Sequence, residues 1–267
     1  MDPDLTFHAD LAALAWQLDL GADVALGETP VNRYEAVADV APLAPPVPVA
    51  RPVAAASAPV AAPDHGVAVR VATEAAAQAD DLAALRTALA AFEHCDLKRG
   101  AKSLVFADGL PGARVMLVGE APGRDEDLEG RPFVGRAGQL LDRMFAAIGL
   151  ARTSSDPALA LYITNVMVWR PPQNRDPTPD EVAMLLPFLQ RHIALADPEV
   201  IVVMGNTPLS ALLGQKGITR LRGQWAQALG KPVLPMVHPA YLLRNPAAKR
   251  EAWADLLSLK SHLRTKS

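Results

Sequence analysis

One cysteine, Cys95, occurs in the 267 residues. A disulfide framework or an all-cysteine metal site within one chain is therefore excluded, which fits a reducing compartment. No run of ~18 apolar residues occurs, and the opening MDPDLTFHAD is acidic, without a basic region followed by an apolar one. The expectation is a soluble, cytoplasmic chain with no membrane partner. No glycine-rich segment ends in the Lys-Ser/Thr of a triphosphate-binding loop, and none matches GxGxxG, which argues against triphosphate or dinucleotide binding. Among the six histidines no pair shows metal-ligand spacing, with each other or with Cys95. Five of them, including His94 and His192, are read as surface residues.

What is present divides the chain in two. Residues 1 to 80 carry 11 acids against 3 bases, and residues 81 to 267 carry 23 bases against 18 acids. A mildly basic second part suits a phosphate-backbone partner, although a solvated surface also shows such an excess. The first part is rich in alanine, which buries too little area to build a core alone. Residues 6–20, FHADLAALAWQLDLG, read as a short amphipathic helix able to dock on the core or on a protein partner. Residues 41–63 hold seven prolines, which lack backbone donors and favour extension over packing. The organisation expected is an N-terminal segment (1–40), a disordered Ala/Pro-rich linker (41–73) and a globular domain (74–267) that starts with an alanine-leucine helix at 74–91.

From Ala113 short apolar runs alternate with helical stretches. Residues 113–119, 161–166, 200–205 and 232–237 read as buried strands. Helices are expected at about 136–149, 179–196, 206–213 and 247–262. Pro179, Asp180 and Glu181 suit the first turn of the second of these. This order implies an α/β fold with a parallel sheet covered on both faces. Ligands in such folds bind beyond the carboxyl ends of the strands, here after Gly119, Asn165, Gly205 and Val237.

Three of those ends carry polar or glycine-rich sequence. Gly119-Glu120-Ala121-Pro122-Gly123 leads to Glu126 and to GRPFVG, a glycine-bounded loop that can wrap a flat ligand, with Phe133 as a stacking ring. Asn165 ends its strand, with Asn174 downstream. An asparagine amide offers one acceptor and two donors, so it can pair with the N3–H and O4 edge of uracil, whereas cytosine reverses that pattern. His238 ends the last strand, where an imidazole can donate to a carbonyl that gains negative charge as a bond breaks. Arg222, in the loop RLRGQW, is a candidate for phosphate contact.

GEAPGRDEDLEGRPFVGRAGQLLDRM, YITNVMVWRPPQNR and MVHPAYLLRNPAAKREAWADL together resemble the type 4 branch of the uracil-DNA glycosylase superfamily, over about residues 90–260. The resemblance implies a three-layer α/β/α sandwich on a four-stranded parallel sheet. It also implies a DNA-repair hydrolase that flips uracil out of DNA and cuts its N-glycosidic bond, working as a monomer on uracil-containing DNA. In that reading Glu120 or Glu126 orients water or stabilises positive charge on the sugar. Gly119, Ala121, Phe133, Asn165 and Asn174 bind the base, and His238 assists the leaving group. Flipping opens a hole in the duplex, and Tyr241, Leu242, Leu243 and Arg244 are candidates to fill it or to hold the backbone.

The chain departs from that pattern where most members of the branch hold a four-iron, four-sulfur cluster. Phe92, Cys95, Trp169 and Leu185 stand at the four ligand positions, and only cysteine among them can ligate iron. No cluster, metal or organic cofactor is expected, and an apolar plug is expected in its place. Rival readings are a glycosylase for hypoxanthine or xanthine, a covalent uracil trap, and a non-catalytic DNA-binding or adaptor module. The covalent trap is disfavoured because MVWRPPQNRDPTPDE contains no histidine.

Overall fold

The computed structural model describes residues 65–265. The helix expected at 6–20 and the proline-rich stretch 41–63 lie outside them. Among the described residues no helix is long and apolar enough to cross a membrane.

The described residues start with α1 (His65–Ala77), α2 (Leu82–Ala91), the short α3 (Leu97–Gly100) and an edge strand β1 (Asp108–Gly109). Then come β2 (Val115–Gly119), α4 (Arg124–Glu129), α5 (Arg136–Ala146) and β3 (Leu161–Asn165), followed by α6 (Pro179–Ala196), β4 (Val200–Met204) and α7 (Asn206–Leu213). The last part is α8 (Ile218–Leu221), β5 (Ala226–Ala228), β6 (Lys231–Met236), α9 (Pro239–Arg244) and α10 (Lys249–Thr265).

One sheet has the order β1-β3-β2-β4-β6-β5. Its four inner strands are parallel, and β1 and β5 pair antiparallel at the two edges. The sheet is thus six-stranded where four strands were expected. The four long apolar runs were legible, but a two-residue and a three-residue edge strand bury no continuous apolar row and leave no periodic signal.

The strand period of two splits the core into two layers. Met116, Val118, Tyr162, Ile201, Val203 and Val233 face one side, packing in a cluster with residues of α1, α2, α6 and α7. Val115, Leu117, Leu161, Ile163, Val202 and Leu234 face the other, against Leu141 and Phe145 of α5 and Leu256, Leu259 and Leu263 of α10. Every residue of β2, β3 and β4 is buried, as a sheet covered on both faces demands.

Helix starts follow their sequence signals. Thr178 caps α6 by accepting from the Glu181 amide while the Glu181 carboxylate accepts from the Thr178 amide, and Pro179 occupies the first turn. Two expectations about the helical layer need correction. The first described helix starts at His65, inside the span 41–73 read as linker, and a break at Asp80 and Asp81 separates it from α2. Its alanines are also not spectators: Ala68, Ala72 and Ala76 repeat every four residues and are buried in the core cluster. A stripe of such small residues lets a helix approach its neighbour closely, so alanine contributes here by fit rather than by area. His192, read as a surface residue, is buried: its Nε2 lies 2.9 Å from the Tyr162 hydroxyl and its ring stacks on Phe106.

The chain runs from β2 out to β3 and returns to β4 on the other side of β2. That reversal opens a crevice between the carboxyl ends of β2 and β4, where folds of this kind bind ligands.

Candidate active site

A cleft of about 600 Å³ lies at those strand ends, and its lining includes Glu120, Ala121, Glu126, Phe133, Asn165, Asn174, His238, Tyr241 and Arg244. Residues spread over 125 positions of sequence are thus brought to one wall by the four parallel strands.

Gly119 is the point on which the wall converges. It pairs with Asn165 across β2 and β3. A β-carbon on Gly119 would stand 2.3 Å from Asn165 Oδ1 and 2.6 Å from the Phe133 ring. Only glycine leaves room for both side chains. Asn165 is 3% exposed, and among the described residues its side-chain amide has no hydrogen-bond partner. As part of the cleft lining, that amide is placed to hydrogen-bond a ligand there. The Phe133 ring stacks at 5.3 Å on the imidazole of His238.

His238 caps α9, and its Nδ1 accepts from the Ala240 amide at 3.1 Å. The neutral ring then carries its proton on Nε2 as a donor. Burial, reinforced by the positive charge of Arg244 and partly opposed by Glu126, pushes its pKa down to about 4. At neutral pH the imidazole is uncharged.

The two acids left open by the sequence have different surroundings. Glu126 accepts from the amides of Gly123, Val134 and Gly135 at 3.1, 2.9 and 3.0 Å. Its carboxylate ties the start of α4 to the Phe133 loop. Glu120, half-buried in the cleft, accepts a 2.6 Å hydrogen bond on Oε2 from the Thr207 hydroxyl. Thr207, at the start of α7, is a residue that sequence reasoning missed, because 87 positions separate it from Glu120. Asn174 is held by Arg170, whose Nε donates to its Oδ1 at 2.8 Å.

Other expected residues have different roles. Leu242 is 1% exposed and packs with Val237 and Ala252, so it cannot reach into DNA. Its neighbour Leu243 is exposed. Arg222 turns its guanidinium largely inward: it donates to both carboxylate oxygens of the buried Asp255 and to the Glu251 carbonyl, fastening α10 to the loop after α8. Its charge is matched internally, and the helix-facing direction of its side chain was not legible in RLRGQW.

The four positions of the implied iron-sulfur cluster do not fit such a group. Phe92, Cys95, Trp169 and Leu185 are all buried in one apolar cluster, and Phe92 meets Phe188 edge to face at 5.3 Å. Three of the four have no atom able to bind iron. Burial pushes the Cys95 thiol up to about 11, so the thiolate that a metal requires is disfavoured. Among the described residues no group of three or more metal-binding side chains is assembled.

The Uracil DNA glycosylase superfamily profile matches residues 106–257. The chain is 41% identical over 175 residues to the type-4 uracil-DNA glycosylase of Thermotoga maritima, covering 64% of this chain and 88% of that protein. It is 40% identical over 172 residues to the enzyme of the same name from Archaeoglobus fulgidus, covering 60% and 82%. A third, from Sulfurisphaera tokodaii, is 37% identical over 191 residues, covering 68% and 84%. With the matched profile spanning the whole cleft, the chain belongs to the uracil DNA glycosylase superfamily.

Proposed function

We propose that the protein is a uracil-DNA glycosylase of DNA repair, a hydrolase that releases free uracil and leaves an abasic site. The observation that carries the proposal is the meeting of Phe133 and Asn165 at Gly119, with His238 stacked on Phe133 and Glu120 in the same cleft. A uracil turned out of the helix stacks on Phe133. Asn165 accepts from N3–H and donates to O4, and His238 donates through Nε2–H to O2. Glu120, steadied by Thr207, orients a water toward C1′ of the sugar. As the N1–C1′ bond breaks, its electron pair passes to uracil, the water oxygen bonds to C1′, and the water's proton goes to the carboxylate. Donors fixed in a sheltered cleft where charge develops are worth a few kcal/mol each. A neutral histidine serves as donor here without the cost of burying a cation. Asn174 closes the side of the base site, and Gly119 and Ala121 bring backbone close to the base. Tyr241, Leu243 and Arg244 at the rim meet the DNA.

We further propose that no iron-sulfur cluster takes part, the apolar plug at residues 92, 95, 169 and 185 replacing it. Iron and sulfide analysis with a visible spectrum tests this; stoichiometric iron would overturn it. A single buried cysteine agrees with a reducing cytoplasm.

The test of function is incubation with a labelled single-uracil strand, then alkali, beside an Asn165→Asp variant and strands carrying thymine or hypoxanthine. Uracil-dependent cleavage that falls with Asn165→Asp supports the assignment. Preference for hypoxanthine would move the specificity, and binding without cleavage would support the adaptor reading instead.

A further inference from the structure

We infer that Arg152, outside every motif of the cleft, is a positioning residue that sets the Phe133 ring for base stacking. The inference rests on the glycosylase reading and deepens it.

Among the described residues Phe133 is one of five non-glycine residues with positive φ, at 54°. A bulky side chain adopts that conformation only when its surroundings impose it. Two opposite charges hold this turn from its two sides. Glu126 takes the amides that follow, Val134 and Gly135. Arg152 takes the preceding carbonyl and that of Phe133 itself: Nη1 donates to Pro132 O at 2.8 Å and Nη2 to Phe133 O at 2.9 Å. Helix α5 closes in on the same carbonyl, since a β-carbon on Gly138 would stand 1.7 Å from Phe133 O.

The arginine is itself fixed. Its side chain is 9% exposed, Nε donates to Asp142 at 2.8 Å, and Nη1 lies 3.0 Å from Asp108 Oδ2. Asp108 belongs to the two-residue edge strand β1 and accepts from the Gly109 amide with its other oxygen. The antiparallel edge thus has a use: it anchors the acid that aims the arginine. Only a planar fork with several donors can span two carbonyls and two carboxylates at once, so lysine is not an equivalent. Because Arg152 holds the backbone of Phe133 and not the cleft itself, its effect on catalysis must pass through the ring.

The experiment is a double-mutant cycle on the full chain, measuring kcat/KM for single-uracil DNA well below the lowest melting temperature of the set. Arg152→Met is expected to lower kcat/KM by about 10- to 100-fold, as misplacement of a binding group does, with Arg152→Lys falling between it and wild type. In a Phe133→Ala background the same substitutions should cost no more than about threefold, because coupled residues are not additive. If Arg152→Met does not fold, the Arg152→Lys cycle decides. Equal losses in both backgrounds, or no loss in the wild-type background, would overturn the inference. A wild-type protein that leaves uracil in place is a separate result: it removes the glycosylase reading and the inference with it.

Discussion

Gly119→Ala is the sharpest probe of the cleft, because it adds one methyl group where two functional side chains, Asn165 and Phe133, meet. Gly119 lies in β2 and is absent from the positive-φ glycines, so alanine meets no backbone penalty there. The cost comes from contact alone. The new carbon would lie 2.3 Å from Asn165 Oδ1 and 2.6 Å from Cε2 and Cζ of Phe133. Carbon contacts settle at about 3.5–4.0 Å, so the ring must retreat by about 1 Å and the amide must turn away. Displacement on that scale costs about 100-fold in rate, or about 2.7 kcal/mol of transition-state stabilisation. Overpacking should also lower stability by about 1–3 kcal/mol. Single-turnover uracil excision and thermal melting would be measured beside Gly100→Ala, where the added carbon meets nothing within 4 Å. A Gly119→Ala protein with kcat/KM within about threefold of wild type would refute the convergence of Asn165 and Phe133 as the base site.

The two acids should separate cleanly. Glu120→Gln is expected to lose about 100-fold or more in kcat with little change in melting, whereas Glu126→Gln, deprived of charge-assisted bonds to three amides, should lose about 2 kcal/mol of stability; the reverse pattern would exchange their roles. The pH profile tests His238, whose pKa is pushed down to about 4. As a neutral donor it should produce no inflection in kcat between pH 6 and 7 and should fail only as pH approaches 4, so a midpoint near 6.5 that vanishes in His238→Gln would contradict the assignment. Stability should follow the same sign. His192, held near 3 by burial, and His238 both bind protons more readily when unfolded, so their contribution is complete above about pH 6.5 and is lost as pH falls through their folded values. Melting temperatures across pH 4–8 check this, and a protein that gains stability on acidification would overturn it.

The parallel strands and most helices were legible because each carries its own local signal. The limits of α6 and α7 fall where the apolar period and the capping residues place them. The polar residues Glu120, Asn165 and His238 stand at strand ends, and parallel strands put such ends on one side, so the cleft was legible too. What misled was contact between distant segments. Leu242 and Leu243 are adjacent and chemically alike, yet packing against Val237 and Ala252 buries one and leaves the other exposed. Arg222 sits in a basic loop and resembles a phosphate contact until Asp255, 33 positions away, claims it.

By itself, then, the sequence determined the α/β layering and the strand ends that bear polar residues, because these follow from residue type and short-range period, while the loss of iron ligands at three of four positions followed from the family resemblance. Only the tertiary structure decided that three backbone amides take up the Glu126 carboxylate while a hydroxyl holds Glu120, which arginine serves the fold, and how a turn is held at Phe133. Those outcomes depend on partners such as Thr207 for Glu120 and Arg152 for Phe133. Such partners are chosen by the meeting of elements far apart in the chain, and no local pattern records that meeting.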